Sequence, residues 1–166
     1  GLFGLPLGLH VQSLWQNLSA SRIELEAAQV YPDVVGTMQR IQKHRGLNSA
    51  VLTGNTDSVP KREAMSTEVN GFFARLHKHS AAHPSFKLGE QLKKTEEKWR
   101  SLLADRDKIP VAESLARHAA TIKEVFALRT VLINNSGLLL DPDAAPIYLI
   151  NIMAGQGPEL TEQLGR

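Results

Sequence analysis

The sequence predicts an all-α fold, an antiparallel up-and-down bundle of long helices. Three observations carry this reading. Leu, Ala, Ile and Val bear the apolar load of a 166-residue chain that is 42% hydrophobic but only 5% aromatic. Apolar positions recur three and four apart over long stretches, which is helical spacing. No segment alternates convincingly as a strand would. The length suits a single domain across 1–166, large enough to bury a core.

The elements follow in order. From Val11 to Gln29 the pattern is helical, with Leu14, Leu18, Ile23 and Leu25 as apolar positions and "SRIELEAA" rich in helix formers. Pro32 either breaks this helix or bends it, opening the next segment. That segment, Asp33 to Thr53, carries Val34, Met38, Ile41, Arg45, Asn48 and Leu52 at 4, 3, 4, 3, 4 spacing, a heptad seam. Turn chemistry at "GNTDSVP" ends it, with Gly54 suited to the helix C-terminus. A third helix is expected from Ser58 or Pro60 to Ala82, with Val69, Phe72, Phe73 and Leu76 as its stripe. "HPSF" stops it. A charged fourth helix, Phe86 to Ala104, buries Leu88, Leu92, Trp99, Leu102 and Leu103. A fifth, Val111 to Asn135, places Leu115, His118, Ile122, Val125, Arg129, Leu132 and Ser136 on a second seam. Short helices are expected at 147–153 and 159–164.

Composition excludes several classes. The net charge of +2, from 19 basic and 17 acidic residues, is too balanced to argue for nucleic acid. With no cysteine there is no disulfide, thiol nucleophile or Cys-based zinc site. His79 and His83, four apart, lack a third ligand and precede Pro84, so they read as a solvated helix end. Asp141 reads as a helix cap with Pro142 at the first helical position. Neither metal nor cofactor is expected. No nucleophile, base and orienting group stand together, so the chain is not expected to be an enzyme. It contains no run of about 18 apolar residues. The apolar start "GLFGLPLGL" (1–9) admits two readings, a core-packing arm or a remnant flanking a membrane helix. Opening on Gly rather than Met, the chain reads as a fragment or processed product.

The polar residues on the two seams are the candidate site. A guanidinium on a core seam is costly unless paired or solvated. Arg45 and Arg129 are two such cases. His118 shares the seam of Arg129, and Asn48 lies a turn from Arg45. Polar interruptions of facing seams can build a pocket inside a bundle, and Arg grips carboxylates or oxyanions with two donors. The candidate ligand-binding set is Arg45, Asn48, Gln42, Arg129 and His118. The competing structural reading pairs each Arg with an internal acid or lets it snorkel to solvent. Gly46, costly within a helix, points to a close approach by another helix or a ligand.

The stretches "QRIQKHRGLNSAVLTGN" (39–55) and "ESLARHAATIKEVFALRTVLINNSGLLLDPDAAPIYLINIMAGQGPELTEQLGR" (113–166) together resemble the helical extracytoplasmic sensor regions of bacterial transmembrane receptors. Those occur in methyl-accepting chemotaxis proteins, sensor histidine kinases and diguanylate cyclases. The first stretch is also similar to the long helix of nitrate- and nitrite-sensing domains. Arg45 matches their Arg-Gly element, and His44 stands where that family often has Glu. The resemblance implies a periplasmic bundle, membrane-anchored in the full-length protein, that signals as a homodimer. It further implies a small-molecule ligand, an anion or organic acid, whose binding shifts helices. Tyr148 falls in a run resembling the receptors' Tyr-Leu element. The unfinished helical pattern at 158–166 leads to the expectation of more sensor sequence beyond it. The alternative function is a helical interaction or dimerisation module that senses a partner protein and binds no small molecule.

Overall fold

The computed structural model describes residues 4–138, with side chains described for 11–18 and 21–138. It is all-α: four helices, α1 Gly4–Leu52, α2 Val59–Ala82, α3 Gly89–Asp105 and α4 Val111–Ser136. Short 3-10 turns, Thr56–Ser58 and Pro84–Phe86, precede α2 and α3. The expected Asp141 cap, Tyr148 and the helices at 147–153 and 159–164 lie outside the described residues.

The helix ends follow from local chemistry. Gly54 adopts φ +104°, where a side chain would strain the backbone. Its N–H donates to the Val51 carbonyl and the Asn55 N–H to that of Ala50, a Schellman closure of α1. Pro60 lies in the first turn of α2, where its missing N–H costs nothing. α2 ends just before Pro84, and α4 starts just after Pro110.

At Pro32, where the sequence leaves a break and a bend both open, the helix continues. α1 is one helix of 49 residues that runs through it. The proline removes a single hydrogen bond, to the Ala28 carbonyl. Burial of Val30, Tyr31 and Val34 around it holds the helical path.

The contacts of the chain fall into two compact units. Of the first, the described residues are 4–29 and 136–138. Here Leu14, Leu18, Ile23 and Leu25, the apolar positions of the expected first helix, are exposed, as are Val11 and Trp15. No helix among the described residues is long and apolar enough to cross a membrane.

The second unit, Val30–Asn135, is a four-helix bundle of the C-terminal part of α1 with α2, α3 and α4. Its core includes Val34, Ile41, Phe73, Leu76, Phe86, Leu92, Trp99, Leu102, Leu128 and Leu132, all essentially without solvent contact. The α1 seam is Val30, Val34, Thr37, Ile41, His44 and Asn48, all buried. The 4, 3, 4, 3, 4 rhythm is as expected, but the sequence reading is corrected at three of its six places: Met38, Arg45 and Leu52 are half-buried, and Thr37 and His44 take the core. In α4 the same correction puts Leu128 inside in place of Arg129 and leaves Leu115 exposed. A helix buries a stripe wider than two heptad positions, so apolar flanks can pull a sequence-based phase by one residue.

Candidate functional site

Three helices carry polar residues at the same end of their buried stripes. α1 ends its stripe with His44 and Asn48, α2 begins with Arg62 and Ser66, and α4 begins with Ser114 and His118. In an antiparallel bundle the end of α1 meets the starts of α2 and α4. Six buried polar residues therefore gather at one end of a core that is elsewhere apolar but for the threonines Thr37, Thr95 and Thr121.

Their hydrogen bonds fix their states. His118 Nδ1 lies 2.7 Å from the Ser114 carbonyl, which only accepts, so Nδ1 carries the proton. His118 Nε2 is then an acceptor, and His44 Nδ1 donates to it across 2.8 Å. That leaves His44 Nε2 as a buried lone pair without a partner. The Trp99 ring meets His44 edge-on, with centroids 4.8 Å apart, and the indole N–H donates to Asn70 Oδ1. Both imidazoles are neutral. Burial pushes His44 down to about 3, helped by His118, Arg62 and Arg106. Burial also lowers His118; its hydrogen bond to Ser114 opposes this, and the charges of Arg45 and Arg117 add to it.

Asn48 joins this pair to the surface. Its Nδ2 donates to Ser114 Oγ at 2.8 Å and to the Arg106 carbonyl at 3.2 Å, and its Oδ1 accepts from Arg62 Nη1 at 2.9 Å. Arg62 is only 3% exposed, yet its Nη1 also reaches Asp107 Oδ1 at 2.6 Å and its Nη2 lies 3.0 Å from Glu63. That hydrogen bond holds the Asp107 carboxyl below its ordinary range. Arg106 closes the rim by donating to both oxygens of Glu63, from Nε to Oε1 and from Nη2 to Oε2. One asparagine thus links α1, α2, α4 and the turn between α3 and α4.

The sequence-predicted residues divide three ways. Asn48 and His118 meet here, through Ser114. Arg45 flanks the cluster, half-buried, close enough for its charge to act on His118, while Gln42 is exposed. Arg129 stands apart. It is eleven residues beyond His118, about 16 Å along α4, beside Tyr31. An ideal Cβ on Gly46 would meet no heavy atom within 4 Å, so no other helix packs on it.

The arginines separate by partner. Arg22, Arg40, Arg62, Arg75, Arg100, Arg106 and Arg117 each lie within ion-pair distance of a carboxylate. Among the described residues, Arg45 and Arg129 have no such partner. These are the two that the sequence placed on seams. His44, Arg62, Ser114 and Asp107 were missed. The signal for His44 and Ser114 was present as polar residues one position before Arg45 and Leu115, hidden by the one-residue phase error.

The cluster is not built for nucleophilic catalysis. Ser114 Oγ is 3.4 Å from His118 Nδ1, but that nitrogen is protonated and cannot serve as its base. Among the described residues no group of His, Cys, Asp or Glu could hold a metal ion. His79 is engaged by Asp33 at 2.8 Å, and His83 stacks on Phe86. Two open grooves, of about 220 Å³ beside Lys98 and Arg117 and about 520 Å³ beside His77 and Arg100, contain none of the candidate residues. Their cations are matched by Glu124, Asp105 and Glu96.

No family model, no curated protein and no solved structure matches this chain.

Proposed function

We propose that the chain is an extracytoplasmic sensor module of a membrane receptor, and that it binds a small anion or organic acid at Arg45. The observation that carries this reading is the state of Arg45: half-buried, without a carboxylate among the described residues, and flanking a buried polar cluster that joins three helices and a turn. An anion there offsets a charge that already acts on His118. It thereby favours one arrangement of α1 against α4 over another, by no more than its difference in affinity for the two. The open side of Gly46 leaves room for the ligand to approach the backbone. The receptor context, the periplasmic location and the homodimer come from the sequence resemblance.

The test is a thermal-shift series with nitrate, nitrite, acetate and other small carboxylates. A ligand at 100 times its dissociation constant adds about 2.7 kcal/mol to stability. The expected result is a shift with at least one anion that disappears in Arg45→Ala. A shift that survives the substitution, or none across the series, removes Arg45 from the reading.

A second reading is an interaction module, favoured by the exposed Val11, Leu14, Trp15, Leu18 and Leu25 on α1. Trp15→Ser separates the two, since it weakens self- or partner association and leaves an anion response at Arg45 intact.

A further inference from the structure

Arg129 presents a different problem from Arg45. Its Nε–H is buried with no hydrogen-bond partner. Its guanidinium carbon lies 5.8 Å from the centroid of the Tyr31 ring, and Tyr31 is only 4% exposed. One turn before and just under one turn after it on α4 stand Val125 and Leu132, both buried. Arg129 is thus a cation on an apolar, aromatic bed. Apart from Arg45, every other described arginine has a carboxylate. Nothing in the packing of the second unit supplies an acceptor for the Nε–H of this one.

The geometry points to a second anion site, at Arg129, that takes a small monocarboxylate. The Nε–H and the neighbouring Nη–H of a guanidinium form one edge of its fork, spaced to receive the two oxygens of a carboxylate side-on. Here the aromatic face of Tyr31 steadies the plane of the group through cation–π attraction. The surroundings strengthen the ion pair by excluding water. The charge count selects a monoanion: one guanidinium neutralises one carboxylate, whereas a phosphate dianion is left half-compensated in an apolar setting. This site lies about 16 Å along the bundle from the His44–His118 contact, so it stands or falls independently of the Arg45 site.

The experiment is an NMR titration of the arginine Nε–H resonances of the whole chain with sodium acetate, with sodium chloride as the ionic-strength control. The expected result is a saturable downfield shift of the Arg129 Nε–H with acetate, absent with chloride and unchanged in Arg45→Ala. Arg129→Lys keeps the charge but loses the fork, and is expected to weaken acetate binding at least tenfold. Arg129→Met keeps the length and removes the unpaired cation. Its melting temperature without acetate is expected to match or exceed that of the parent. No saturable shift, or equal shifts with acetate and chloride, overturns the site. So does a fall in the melting temperature of Arg129→Met in acetate-free buffer, which would assign Arg129 a structural role instead.

Discussion

Asn48 satisfies three groups with one side chain: the Arg62 guanidinium, the Ser114 hydroxyl and the Arg106 carbonyl. Removing a buried partner strands the others, which is the expensive direction for a hydrogen-bond network. Asn48→Ala is therefore expected to cost about 2–4 kcal/mol, read from the urea midpoint. Arg62→Met also destabilises, because Asn48 loses its donor. The double variant Asn48→Leu with Arg62→Met removes both polar partners together and fills the volume with apolar atoms. It is expected to recover most of the loss, since a well-packed apolar replacement of a buried ionic group is often neutral. Full additivity in that double-mutant cycle contradicts the coupling. At this scale the sequence was partly legible. It exposed Arg45 and Arg129 as cations near apolar positions, because charge is visible in a one-letter string. It did not expose Arg62, whose contacts with Asn48 and Asp107 form only after α1, α2 and the turn before α4 have come together.

Element boundaries were read closely, and element phase was not. Proline and glycine punctuation marked the ends of α2 and α4 to within a residue or two, since those signals act through local backbone sterics. Phase depends on which of several adjacent apolar residues faces the neighbours, which is a property of packing. Gly36 illustrates the point. It is an unremarked glycine in the sequence, yet an ideal Cβ on it would stand 2.6 Å from Phe72 Cζ. Only glycine lets the Phe72 ring lie against the backbone of α1. There the ring also receives the guanidinium of Arg75, 4.1 Å from its centroid, and that of Arg40, 5.5 Å away. Gly36→Ala must displace this ring, at an expected cost of about 1–3 kcal/mol despite the better helix propensity of alanine. Adding Phe72→Leu, with less ring to displace, is expected to restore part of the loss. If Gly36→Ala instead raises the thermal midpoint, the helix-on-ring contact does not limit stability.

The antiparallel bundle brings the polar ends of three helices together, and this makes acid sensitivity a property of the whole second unit. His44 and His118 join α1 to α4 only while both are neutral. In the unfolded chain each histidine has its ordinary value near 6.5, and folding depresses His44 to about 3 and moves His118 in the same direction. Between those values the unfolded chain binds protons that the folded chain refuses, so stability falls as pH falls. The slope is about 1.4 kcal/mol per pH unit for each such histidine, so His44 alone accounts for roughly 2 kcal/mol at pH 5. The carboxylates act later and in the same direction. Asp107 and Glu124 are held below their ordinary range by Arg62 and by Gln91 and Lys98, and lose that stabilisation only as pH drops below about 4. Acid unfolding should therefore come in two stages, the first beginning near pH 6.5. Urea midpoints at pH 7.5 and pH 5 read the first stage directly. In the double variant His44→Phe with His118→Leu, that stage is expected to flatten and the carboxylate stage below pH 4 to remain. A variant that still loses stability between pH 7.5 and 5 as steeply as the parent would place the acid-sensitive groups elsewhere in the bundle.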